Sequence, residues 1–69
     1  MSIKNYKVDV SNHSIIFSNL DMFSICYGYY DFSDKHYYIR FYKNKKLYRY
    51  SSPIDFFNKL NSIKKGVFL

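Results

Sequence analysis

A chain of 69 residues has room for one domain, and a domain of that size buries only about 60% of the surface its unfolded chain exposes. Its one cysteine, Cys26, excludes an internal disulfide, and no Cys/His cluster has zinc-ligand spacing, so nine tyrosines and seven phenylalanines must supply the packing. A formal net charge of +6, with five aspartates and no glutamate on the acidic side, favours anionic partners. The absence of a signal-peptide core or a membrane-length apolar run leads to the expectation of a cytoplasmic single domain, residues 1–69, with no membrane partner.

Tyr6, Val8 and Val10 alternate with Lys7 and Asp9, which predicts a half-buried strand from Tyr6 to Val10 ending at the turn-forming Ser11-Asn12-His13-Ser14. Ile15-Ile16-Phe17 is able to pair back as a short second strand. Ser18-Asn19-Leu20-Asp21 reads equally well as a connection or as a single helical turn. Phe23, Ile25, Tyr27 and Tyr29 then alternate with Met22, Ser24, Cys26 and Gly28, predicting a strand with one bulky face and one small-residue face.

That strand breaks at Asp31-Phe32-Ser33-Asp34. A three-residue loop from Phe32 to Asp34 sets Tyr27 opposite Ile39, Ile25 opposite Phe41, Cys26 beside Arg40, Gly28 beside Tyr38 and His36 opposite Tyr30. The bulky face then joins the apolar side. The small residues fall on the outer side, where they leave room either for a planar group or for a covering N-terminal segment.

Tyr37 to Tyr50 reads as a β-hairpin of two aromatic strands about a basic turn. With Asn44-Lys45 as a two-residue loop, Phe41 faces Tyr48, Ile39 faces Tyr50 and Arg40 faces Arg49. One side is then apolar. On the other, two guanidinium groups stand across from each other between Tyr38 and Tyr42, which is unfavourable unless solvent, ring faces or an anion relieve it. Tyr38, Arg40, Tyr42, Lys43, Lys45, Lys46 and Arg49 are therefore the candidate residues for binding nucleic acid or another partner. A loop one residue longer or shorter puts Tyr48 and Tyr50 beside Arg40 instead.

Ser52 as N-cap, Pro53 at the first helical position and Asp55 completing a shortened capping box predict a helix from Pro53 to about Lys65. Phe56, Leu60, Ile63 and Val67 follow at spacings of four, three and four, Phe57 widens the stripe, and Asn58, Lys59, Asn61 and Lys64 face outward. Gly66 is the natural stop. The expected fold is α+β: an antiparallel sheet of three to five short strands with one C-terminal amphipathic helix packed on one face.

Several short motifs line up in the C-terminal two-thirds. Tyr48-Arg49-Tyr50 is preceded by a hydrophobic strand ending in Phe41 and followed by Ser52-Pro53, a helix with Leu60, then Ser62, Gly66 and Phe68; Tyr27-Gly28-Tyr29-Tyr30-Asp31 forms an aromatic strand end closed by Asp. In these features the chain resembles the KTSC domain, a small domain found alone in bacterial proteins and at the C-terminus of some lysyl-tRNA synthetases. The resemblance implies an α+β fold and RNA binding.

For catalysis the candidates are His13, His36, Cys26 and the five aspartates. The predicted register keeps Cys26 away from His36, and Asp31, Asp34 and Asp55 have turn and cap roles. With only Gly28 and Gly66, no phosphate loop exists. The expectation is a non-enzymatic protein without cofactor or metal. Tyr rings and arginines on a sheet suit RNA or single-stranded nucleic acid. An alternative is an inhibitor, encoded by a phage or mobile element, that binds a host protein of nucleic-acid-directed defence (anti-CRISPR-like). Lys, Asn, Ile, Tyr and Phe in abundance with no Ala, Gln, Thr or Trp is the composition of an A/T-rich gene, which fits that source. A structural homodimer that buries the same face in itself is the third reading.

Overall fold

The computed structural model describes residues 6–20, 22 and 24–63. Five strands, β1 (Lys7–Val10), β2 (Ser14–Ser18), β3 (Cys26–Asp31), β4 (His36–Phe41) and β5 (Leu47–Tyr50), precede one helix, α1 (Pro53–Ser62). The strands pair antiparallel in chain order. This is the expected α+β architecture, a meander with a helix on one face. Among the described residues no helix is long and apolar enough to cross a membrane.

The turns set the register. Between β1 and β2, Ser11 N–H donates to the Ser14 carbonyl at 2.9 Å, and Ser11 Oγ accepts from the backbone of His13 and Ser14. Between β2 and β3, the expected long strand from Met22 is not formed. The Met22 carbonyl accepts from Ile25 and Cys26 N–H at 2.8 and 2.9 Å, a turn that drops the wholly buried Met22 into the core, so β3 begins only at Cys26. Phe23 lies outside the described residues.

The β3–β4 loop runs from Phe32 to Lys35, one residue beyond the expected three, because Lys35 adopts φ +59° and donates its N–H to the Asp31 carbonyl at 2.9 Å. Asp31 therefore faces His36, and Gly28 faces Ile39. A one-residue shift moves every side chain to the other face. Cys26 and Gly28 point toward the helix, while Tyr27 and Tyr29 point away from it, the reverse of the expected assignment; Tyr27 stands opposite Arg40, Cys26 opposite Phe41, and Tyr37, not His36, opposite Tyr30.

The β4–β5 loop, Tyr42 to Lys45, is likewise longer than the expected two residues, with Lys45 at φ +57° and Phe41 N–H donating to the Lys46 carbonyl at 2.9 Å. Here the shift is by two residues, so faces are kept and partners change: Ile39 faces Tyr48, Tyr37 faces Tyr50, Tyr38 faces Arg49 and Arg40 faces Leu47. The two arginines share a face but do not stand opposite each other.

The helix closes the apolar side. Phe56, Phe57, Leu60 and Ile63 are buried as the stripe predicts, against Phe17, Cys26, Ile39 and Phe41. Gly28 makes this docking possible: a Cβ there would lie 2.7 Å from Phe56 Cζ and 3.1 Å from Leu60 Cδ1. Ser52 occupies the N-cap and Pro53 the first turn, but the Ser52 side chain makes no capping bond, so the expected capping box is not formed. Ile63 leaves the helical region at φ −84°, ψ 118°, and ends the helix before Lys65. Gly66 and Val67 lie outside the described residues.

Candidate binding face

The fold divides the aromatic residues between two faces. On the helix side, Phe56 contacts Phe17, Tyr37, Tyr50 and Phe57, and Tyr30 packs on Tyr37 at 4.6 Å between ring centroids. On the other side four tyrosines form a continuous row. Tyr42 lies 5.7 Å from Tyr27, Tyr27 is stacked on Tyr29 at 5.6 Å, and Tyr29 is stacked on Tyr38 at 5.2 Å. The row exists because alternate residues of β3 share a face and the β3–β4 register sets Tyr29 directly against Tyr38.

Charged groups flank the row unevenly. Arg40 lies opposite Tyr27 on one side and Leu47 on the other, near the middle of the face. Beyond Tyr42 comes the turn with exposed Lys43, Lys45 and Lys46, where the Lys46 N–H donates to Asn44 Oδ1 at 3.0 Å. The opposite end is acidic. The Tyr38 hydroxyl donates to Asp34 Oδ2, and Asp31 Oδ1 accepts from Ser33 N–H at 2.8 Å and Ser33 Oγ at 2.7 Å. Those bonds hold the Asp31 carboxyl below its usual range, the Ser33 hydroxyl contributing most. The bond to Asp34 pushes the Tyr38 phenol up, while burial is the main cause of the upward shifts of Tyr29 and Tyr42.

Arg49 sits at the acidic end. Its Nη2 lies 3.4 Å from His36 Nδ1, which itself lies 2.7 Å from the Asp34 carbonyl. A carbonyl only accepts and a guanidinium only donates, so Nδ1 serves Asp34 in one tautomer and Arg49 in the other. Of the candidate residues, Tyr38, Arg40, Tyr42 and Arg49 thus come together on one face, while Lys43 and Lys45 extend it at the turn. Lys46 has the strand parity of Tyr48 and Tyr50 and falls toward the helix side.

His36 lies at the far end of the face as the expected register had it, while Tyr27 and Tyr29 belong to the face although they were expected on the apolar side. The signal for them was Gly28: a helix carrying Phe56 needs a low spot in the sheet, and placing Gly28 beneath it forces both flanking tyrosines outward. Cys26 faces the core with no exposed surface, and burial pushes its thiol up to about 11. It lies on the helix side of the sheet, away from Arg40 and His36. No model of a known protein family matches the chain, and no curated protein or solved structure matches it.

Proposed function

We propose that the protein is a non-enzymatic binding module that holds single-stranded nucleic acid, RNA in the first place, on the face opposite α1. The observation that supports this most is the end of the tyrosine row at Tyr42. This ring is 48% exposed, adjoins the lysine turn, and is linked through Tyr27 to the strand position facing Arg40. A base stacked on Tyr42 would bring its phosphates to Arg40, Lys43 and Lys45. Phosphate neutralisation makes affinity fall with salt, with a slope of about −0.7 per phosphate for single strands. Titration of a labelled single-stranded oligonucleotide at several salt concentrations tests this. Binding that is absent at low salt sinks the reading.

One observation favours a protein partner as the second reading. Tyr27 and Tyr29 stack on neighbouring rings, so they offer edges and hydroxyls instead of open faces. Tyr and Arg clusters of this kind are typical anchors of protein interfaces. An inhibitor of a host protein of nucleic-acid-directed defence would use the same face without the salt dependence of a phosphate ligand.

A further inference from the structure

Among the described residues, a sheet that follows chain order has two open edges, β1 and β5. In β1 the turn fixes which backbone groups point outward. Ser11 N–H donates to the Ser14 carbonyl, so Ser11, Asp9 and Lys7 direct their polar groups to β2, in register with Ser14, Ile16 and Ser18; Val8 and Val10 direct theirs away from the sheet. All of β1 is exposed, Val10 to 70%. Such an edge is a template for another strand.

The charges select the strand. Two antiparallel copies of β1 form ladder bonds only when outward residues meet. Centring the pair on Asp9 sets Asp9 against Asp9, and centring it on Lys7 sets Lys7 against Lys7. Centring it on Val10 runs each strand into the other's Ser11–Ser14 turn. Centring it on Val8 sets Lys7 against Asp9 twice, on the face away from the helix, and Val8 against Val8 on the other. The β5 edge has no such match. Phe41 N–H bonded to the Lys46 carbonyl leaves Leu47 and Arg49 outward, so pairing about Tyr48 opposes Leu47 to Arg49.

We infer that the chain self-associates through β1 as a two-fold dimer with one continuous antiparallel sheet, Lys7 of each copy against Asp9 of the other. The tyrosine row stays uncovered, so this inference stands apart from the ligand reading. The four-residue strand makes a small interface, which associates in roughly the 10 µM to 1 mM range.

Sedimentation of the full chain over that range should show a concentration-dependent monomer–dimer equilibrium. Asp9→Lys and Lys7→Asp should each weaken it at least about tenfold, although they move net charge in opposite directions. The double variant Lys7→Asp/Asp9→Lys should restore it to within about threefold of the parent. Melting of dilute samples serves as the fold control, since both positions are exposed. A monomer throughout, a dimer indifferent to the single changes, or a double variant that stays monomeric overturns the inference.

Discussion

At Gly28 the sheet leaves no room for a Cβ, which would lie 2.7 Å from Phe56 Cζ. Phe17 and Ile39 flank it on the neighbouring strands, and Phe56, wholly buried and touched by other rings, lies over it. Gly28→Ala should therefore lower stability by about 1–3 kcal/mol through overpacking, even though alanine narrows the unfolded ensemble by up to about 1 kcal/mol. Combined with Phe56→Leu, the alanine should cost less than it does alone. Urea unfolding of the four members of this cycle measures the difference, and strict additivity would show that the helix does not seat on Gly28.

Cys26 carries a pH prediction. Burial disfavours the thiolate, lifting the folded thiol from 9.0 to about 11. The unfolded chain thus loses this proton first, so stability is full below pH 9 and declines by about 2–3 kcal/mol as pH rises to 11. Tyr29, Tyr42 and Tyr50, raised chiefly by burial, add to the decline above their ordinary value of 10.0. Urea unfolding at stepped pH should show a gentler fall between pH 9 and 10 in Cys26→Ala than in the parent. Equal slopes would remove the thiol from the account.

At the scale of elements, the two loops about β4 use the same chemistry. Each places Asp34 or Asn44 before a lysine at positive φ, and each side chain accepts the N–H two residues on, from His36 at 3.1 Å and from Lys46 at 3.0 Å. A left-handed lysine costs roughly 1–2 kcal/mol. Lys45→Gly should leave the melting temperature unchanged or raise it, and Lys45→Val should lower it, because a β-branched residue fits that region worst. The reverse order in thermal melts would mean that the loop is not built this way.

These loops also explain what the sequence reveals and what it hides. The helix is legible because its stripe, Phe56, Phe57, Leu60 and Ile63, is a local period that tolerates an error at either end. Strands show their alternation equally well in Tyr27 and Tyr29, yet which face is buried depends on the loop that precedes pairing. One uncounted residue, Lys35, inverted β3, whereas two uncounted residues beyond Phe41 left the faces of β5 intact and only separated Arg40 from Arg49. The candidate face was readable in β4 and β5 for that reason, and its Tyr27–Tyr29 half was not.

For the whole molecule, the face is polar along its length: Tyr42 and the lysine turn at one end, Arg40 near the middle, Tyr38 bound to Asp34 and Arg49 beside His36 at the other. An anionic strand favours the first end over the second, where Asp31 and Asp34 offset Lys35 and Arg49. Arg40→Ala and Tyr42→Ala should each cost about 1–3 kcal/mol of oligonucleotide binding, and Arg40→Ala should also flatten the salt dependence by about one phosphate. Arg49→Ala should cost much less. Because Arg40 faces Leu47 and Arg49 faces Tyr38, there is no cross-strand repulsion to relieve. Stability should then stay within about 0.5 kcal/mol of the parent in both arginine variants. Fluorescence anisotropy at several salt concentrations, with melting of the same samples, measures both quantities. Equal binding losses from Arg40 and Arg49 would mean that the ligand spans the face without regard to its polarity, and unchanged binding in every variant would place the ligand elsewhere on the molecule.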